Sequence, residues 1–165
     1  MDTTQLECRT KALTILERHP DLLVKVLAKS GPFIGEIIAA ERLEKLGYTV
    51  MPTNNNSRQL DLRATYPSGE GFGVEVKTGM QKRPTWMVNS CPDVTASKIW
   101  CMVAAPRSPQ NLPNFNTVQV FVLTAEEERS VWLASPYNQK SDKANDIRRK
   151  DVPDSSLEAW WKLSK

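Results

Sequence analysis

Gly73-Val74-Glu75-Val76-Lys77-Thr78-Gly79 is the stretch whose reading decides the fold. Val74 and Val76 alternate with Glu75 and Lys77, the period of a strand with one buried face. A carboxylate and an ammonium therefore leave the strand on the same side, two residues apart. Upstream, Leu60, Leu62 and Ala64 alternate with Asp61, Arg63 and Thr65, so residues 60–66 read as a second strand. The turn residues Pro67-Ser68-Gly69-Glu70-Gly71 separate the two strands, and so short a connection predicts an antiparallel hairpin. A turn centred near Gly69 puts Asp61 opposite Lys77 and one pair diagonal from Glu75, with Cβ atoms within about 5–8 Å.

Working outward from the hairpin, residues 32–46 predict a helix. Ala39, Ala40, Leu43 and Leu46 share one face of it, and Glu41, Arg42, Glu44 and Lys45 lie opposite. Glu36 falls in the middle of the apolar face, and Gly47 is suited to close the helix as its C′ residue. Further helices are expected over residues 3–18, with Leu6, Leu13 and Leu16 at helical offsets, and over 22–29. His19-Pro20 and Ser30-Gly31-Pro32 break the pattern between them.

Residues 48–53, 85–89, 98–105 and 117–123 read as strands. Thr124 and Glu127 form a capping box for a helix reaching about Leu133. Residues 135–149 are polar and loosely patterned. A terminal helix beginning at Asp154 or Ser155 is expected to dock Leu157, Trp160, Trp161 and Leu163. This order predicts an α/β fold with a central mixed β-sheet flanked by helices. It predicts a single domain over residues 1–165, with its core at 32–134 and an N-terminal helical extension at 1–31.

The chain has 165 residues, 40% hydrophobic and 25% charged, values of a globular protein rather than a disordered one. A formal net charge of +3 is compatible with a phosphate-bearing partner and is too small to identify one. The three cysteines, Cys8, Cys91 and Cys101, are widely spaced and outside any C-x-x-C pattern, which argues for reduced thiols. No signal-peptide pattern and no bilayer-length apolar run is present, so a cytoplasmic protein without membrane association is expected. His19 is the only histidine and sits before a proline, which disfavours histidine-based nucleophilic chemistry. No glycine-rich phosphate loop or dinucleotide fingerprint occurs.

Two carboxylates, a strand carbonyl and waters suit Mg²⁺, a hard cation that keeps several of its waters. Such an ion polarises a phosphoryl oxygen and lowers the pKa of a bound water. A neighbouring lysine can orient or deprotonate that water, or stabilise developing negative charge. Glu75 and Lys77 alone equally describe a solvated cross-strand ion pair. Glu36 adds to them, because a carboxylate on an apolar helix face is costly to bury unless it is paired or bound to a cation. Arg63, on the face of Glu75, is a competitor that could pair with that carboxylate. Gln81, Lys82 and Arg83 follow the strand as a polar, basic loop that could contact phosphates. Arg148-Arg149-Lys150 is a second basic run.

Glu36 after Gly35, then Leu60-Asp61, then Glu75-Val76-Lys77 resembles the PD-(D/E)xK nuclease superfamily over residues 32–79. The resemblance implies a restriction-endonuclease-like core and a metal-dependent deoxyribonuclease. It implies Asp61 and Glu75 as Mg²⁺ ligands, with Mn²⁺ as a substitute, Lys77 as the catalytic lysine and Glu36 as an auxiliary acid. Leu60 stands where the family pattern has proline. The resemblance implies DNA as partner, and a homodimer is compatible with it, because cutting both strands with one small domain usually takes two sites. The alternative is a catalytically inactive module of the same fold that binds nucleic acid or a protein partner.

Overall fold

The computed structural model describes residues 31–53, 60–88, 98–106, 117–135 and 146–163, together with 15, 18, 19, 91 and 138. Of the first expected helix only its end lies within them: Ile15 and Arg18 are helical, and the His19 amide donates to the Ile15 carbonyl at 3.0 Å. The helix expected at 22–29 and the loops at 54–59, 92–97 and 107–116 lie outside the described residues.

Helix α1 spans Gly31–Lys45. It stops where anticipated, since Gly47 takes φ +90°, a conformation that costs glycine nothing, and its amide bonds the Glu44 carbonyl at 2.9 Å. The buried stripe is Ile34, Gly35, Ile38, Ala39 and Leu43. That differs from the expected stripe, because Leu46 is 51% exposed and Ala40 only partly covered. Glu36 consequently lies at the rim of the buried stripe, half-buried, rather than in its middle.

Five strands form the central sheet: β1 (Thr49–Pro52), β2 (Leu62–Thr65), β3 (Gly71–Gly79), β5 (Lys98–Ala104) and β6 (Gln119–Thr124), in the order β1-β2-β3-β5-β6. β3 and β5 run parallel and the other neighbours antiparallel, so the sheet is mixed as expected. Alternation along β3 separates two layers. Phe72, Val74 and Val76 face α1 and join Ile34, Ile38, Ala39 and Leu43 in one core. On the opposite face Trp100, Met102 and Ala104 of β5 join Phe121, Leu123, Trp86, Ile147 and Val152 in a second core.

The second core is roofed by helix α2 (Ala125–Ala134) and by a small sheet of β4 (Thr85–Met87) and β7 (Asp146–Arg148). Both hydrogen bonds of the predicted capping box are made: the Glu127 amide donates to Thr124 Oγ1 at 3.2 Å, and the Thr124 amide to Glu127 Oε2 at 2.9 Å. Trp86 is buried, its indole N–H donating to the Val103 carbonyl at 3.0 Å. The expected terminal helix is instead a series of short 3₁₀ turns that lines the outer edge of β6. There the Glu158 amide bonds the Val120 carbonyl at 2.8 Å, and Lys162 Nζ reaches the Val122 carbonyl at 2.9 Å and Glu127 at 2.7 Å. Capping a sheet edge this way removes its unpaired ladder groups from solvent. Of the adjacent tryptophans, Trp160 packs inward and Trp161 is 70% exposed.

The β2–β3 register differs from the expected one. Leu62 pairs with Val74 and Thr65 with Gly71, two residues out from the register that would set Asp61 opposite Lys77, and Asp61 itself lies just beyond the paired residues. The turn is tighter than read: the Tyr66 amide donates to the Glu70 carbonyl at 2.7 Å, and Gly69 takes φ +92° to close it.

Candidate active site

The site forms where β2 stops short of β3. β2 pairs with β3 only as far as Val74, whereas β3 continues to Gly79 against β5. At the junction the chain bends at Asp61, and the Asp61 amide donates to the Val74 carbonyl at 3.0 Å. The next β3 amide on that side, Val76 N–H, is taken by the Asp61 carboxylate, with Oδ2 accepting at 2.7 Å. A side chain thus replaces the backbone carbonyl that β2 no longer supplies, and an N–H that would otherwise go unpaired is satisfied. Thr53 steadies the bend: its amide bonds the Asp61 carbonyl at 3.0 Å, and its hydroxyl reaches the Leu60 carbonyl. The same bend turns Leu60 away from the face of Leu62 and Ala64, so that its side chain fills the place a Cβ at Gly73 would take.

In a strand, the N–H and C=O of one residue point to the same neighbour. The Val76 carbonyl therefore faces the side where Asp61 bonds its amide. Glu75 and Lys77 leave β3 on the face toward Trp100. Lys77 Nζ donates to Glu75 Oε1 at 2.5 Å and lies 5.8 Å from the centre of the Trp100 ring. Both side chains are largely covered, 24% exposed for Lys77 and 13% for Glu75. Glu36 approaches from α1. Burial, and then the negative charge of Asp61, push its carboxyl above the ordinary value of 4.5, against an opposing pull from Lys77. The helix comes this close because Gly35 has no side chain: a Cβ there would overlap Thr78 Oγ1 and approach Val76 Cγ1 to 3.2 Å.

Arg63, the foreseen competitor, pairs in register with Gly73 and is exposed, while Glu75 holds Lys77. The structure thus gathers Glu36, Asp61, Glu75 and Lys77 around one end of the β2 ladder. Among the described residues no group of three or more His, Cys, Asp or Glu could hold a metal ion by themselves. An ion here would rest on two carboxylates, a backbone carbonyl and water.

Those donors fit such an ion. All are hard oxygens, the donor type that a hard divalent cation takes.

Gln81, Lys82 and Arg83 are exposed in the bend after β3, beyond Gly79. Sequence reading missed what lies beside them. The β4–β7 sheet pairs Thr85 with Arg148, and the Arg149 amide donates to the Pro84 carbonyl at 3.0 Å, so the two basic runs meet. Arg149 itself is committed inward: its guanidinium bonds the Val152 carbonyl at 3.1 Å and Asp154 at 2.5 Å, and stacks 4.2 Å from the Phe121 ring centre.

No protein-family model matches the chain, and no curated protein matches it. Among solved structures it is similar to a bacterial homing endonuclease, I-Ssp6803I, with a TM-score of 0.52 and 16% sequence identity. The match covers 82% of this chain and 91% of that one. The chain therefore has a nuclease-like α/β fold with a central five-stranded mixed sheet flanked by helices. No helix among the described residues is long and apolar enough to cross a membrane.

Proposed function

We propose that this protein is a Mg²⁺-dependent endonuclease of the PD-(D/E)xK type that hydrolyses phosphodiester bonds in DNA. The observation that carries this reading is the Asp61 carboxylate bonded to the Val76 amide, which joins Asp61 to the Glu75-Val76-Lys77 strand at one point. A similar fold in a solved homing endonuclease supports a nucleic-acid substrate.

In this reading Asp61, Glu75 and the Val76 carbonyl hold the metal, with Mn²⁺ as a substitute. When bound, the ion supplies Lewis-acid polarisation of the phosphate and a more acidic water. Lys77 orients that water or offsets the charge that builds on the phosphoryl oxygens. Lys77 is suited to this because Trp100 and Glu75 restrict its flexible chain to one region. Glu36 acts as the auxiliary acid at the rim, where burial and the charge of Asp61 raise its proton affinity. Gln81, Lys82 and Arg83 contact phosphates next to the scissile one.

The test is cleavage of supercoiled plasmid with Mg²⁺ by wild type, Asp61→Ala and Lys77→Ala. Nicking and linearisation by wild type, with a loss of at least about 100-fold in each variant, is expected for removal of a charge-stabilising group. Equal activity in all three proteins would refute the assignment.

A further inference from the structure

Exposed cations stand at both ends of β3, with the candidate site between them. At the Gly71 end, Arg63 is exposed, makes no salt bridge among the described residues, and extends along the hairpin until its Nε is 3.4 Å from where a Gly71 Cβ would be. The ground it covers is flat, since Gly71 is itself exposed and carries no side chain. At the other end, Lys82 and Arg83 are exposed just beyond Gly79. The β4–β7 pairing extends that end with Lys150, which is exposed, whereas Arg149 is tied to Asp154.

β3 has nine residues. At about 3.3 Å per residue its ends lie roughly 26 Å apart, the length of about eight phosphates along one strand of duplex DNA. Cations on one side only would suit a protein that holds a terminus. Cations on both sides suit a nucleic-acid backbone that runs past the site in both directions.

We propose that Arg63 at one end and Lys82, Arg83 and Lys150 at the other form a two-sided phosphate track. The substrate class is then a continuous duplex engaged internally, and Arg63 is a positioning residue for backbone upstream or downstream of the scissile bond. The proposal rests on the nucleic-acid reading given above. It adds that Arg63 serves the backbone rather than the Glu75 carboxylate, and that the duplex is held on both sides of the site.

The experiment measures binding without divalent metal, so that cleavage does not enter. A labelled 30-base-pair duplex is titrated at several salt concentrations with wild type, Arg63→Ala, Lys82→Ala/Arg83→Ala and Lys150→Ala. Lys45→Ala serves as control, because Lys45 is exposed on α1 and paired with Glu41. Each phosphate contact contributes about 0.9 to the slope of log affinity against log salt, so Arg63→Ala should lower it by about 1 and the double variant by about 2. Relaxed circular plasmid should compete as well as linear DNA per base pair.

An unchanged slope in Arg63→Ala, or an equal fall in Lys45→Ala, would overturn the two-sided track. If wild type still cleaved plasmid in that case, the nuclease reading would survive alone. Binding that follows the predicted slopes without any metal-dependent cleavage would support the track and refute the nuclease. No duplex binding by wild type would overturn both.

Discussion

Replacing Gly35 by alanine tests the contact that brings α1, and with it Glu36, against β3. An added methyl would overlap Thr78 Oγ1 and meet Thr78 Cβ at 3.1 Å and Val76 Cγ1 at 3.2 Å. Overpacking of this kind costs about 1–3 kcal/mol, and alanine returns up to about 1 kcal/mol through its better helix propensity. Because all three atoms belong to β-branched side chains on a central strand, little can yield, and a net loss of about 1–2 kcal/mol is expected. Urea unfolding of Gly35→Ala, Thr78→Ala and the double variant measures it. Removing the Thr78 hydroxyl should recover most of the loss, giving a coupling of about 1–2 kcal/mol. A Gly35→Ala protein as stable as wild type, or losses that simply add, would refute the close approach of helix and strand.

Two further predictions concern the carboxylates. Asp61→Ala leaves the Val76 amide without its acceptor and should destabilise by about 1–3 kcal/mol in urea unfolding, while Asp61→Asn keeps an acceptor oxygen and should cost under about 1 kcal/mol. Equal losses in the two variants would mean that the hydrogen bond is not what Asp61 contributes. The second concerns pH. Glu36 has its folded-state proton affinity raised above 4.5 by burial and by Asp61, so folding takes up a proton there. The associated stability is fully present below the unfolded value and is lost as pH rises through the higher folded value. Glu36→Gln should flatten the stability profile in the window just above pH 4.5 and be the more stable protein, relative to wild type, beyond it. A profile unchanged by the substitution would contradict the assigned environment.

The alternating residues of the β2–β3 hairpin, the α1 helix with its Gly47 stop and the Thr124–Glu127 box were legible because each is a local pattern with a local cause. The register was not, because it depends on how the turn closes. Gly69 supplies the left-handed residue of a tighter turn, and the ladder shifts so that it ends at Leu62 and Val74 with Asp61 just beyond it. Nor does alternation foresee the bend at Asp61, where the carboxylate enters the ladder itself and Leu60 changes faces.

Glu36 was readable as an odd acid on α1, but its place at the rim follows from which stripe β3 selects, a tertiary matter. The β4–β7 sheet pairs two three-residue strands far apart in sequence, and β7 lies in a polar stretch with no strand pattern of its own. Arg63 was on the correct face, yet its neighbours across the hairpin, Gly71 and Gly73, leave its chain to run away from Glu75.

The proposed function depends on Asp61, Glu75 and the Val76 carbonyl binding a divalent cation. Calorimetric titration of Mn²⁺ into wild type, Asp61→Asn and Glu75→Gln tests it most directly, since Asp61→Asn retains the bond to Val76 while removing the charge. Saturable binding by wild type, lost in both variants while Asp61→Asn still unfolds cooperatively with at most a small loss of stability without metal, is the predicted result. No heat with wild type, or undiminished binding by Asp61→Asn, would contradict it.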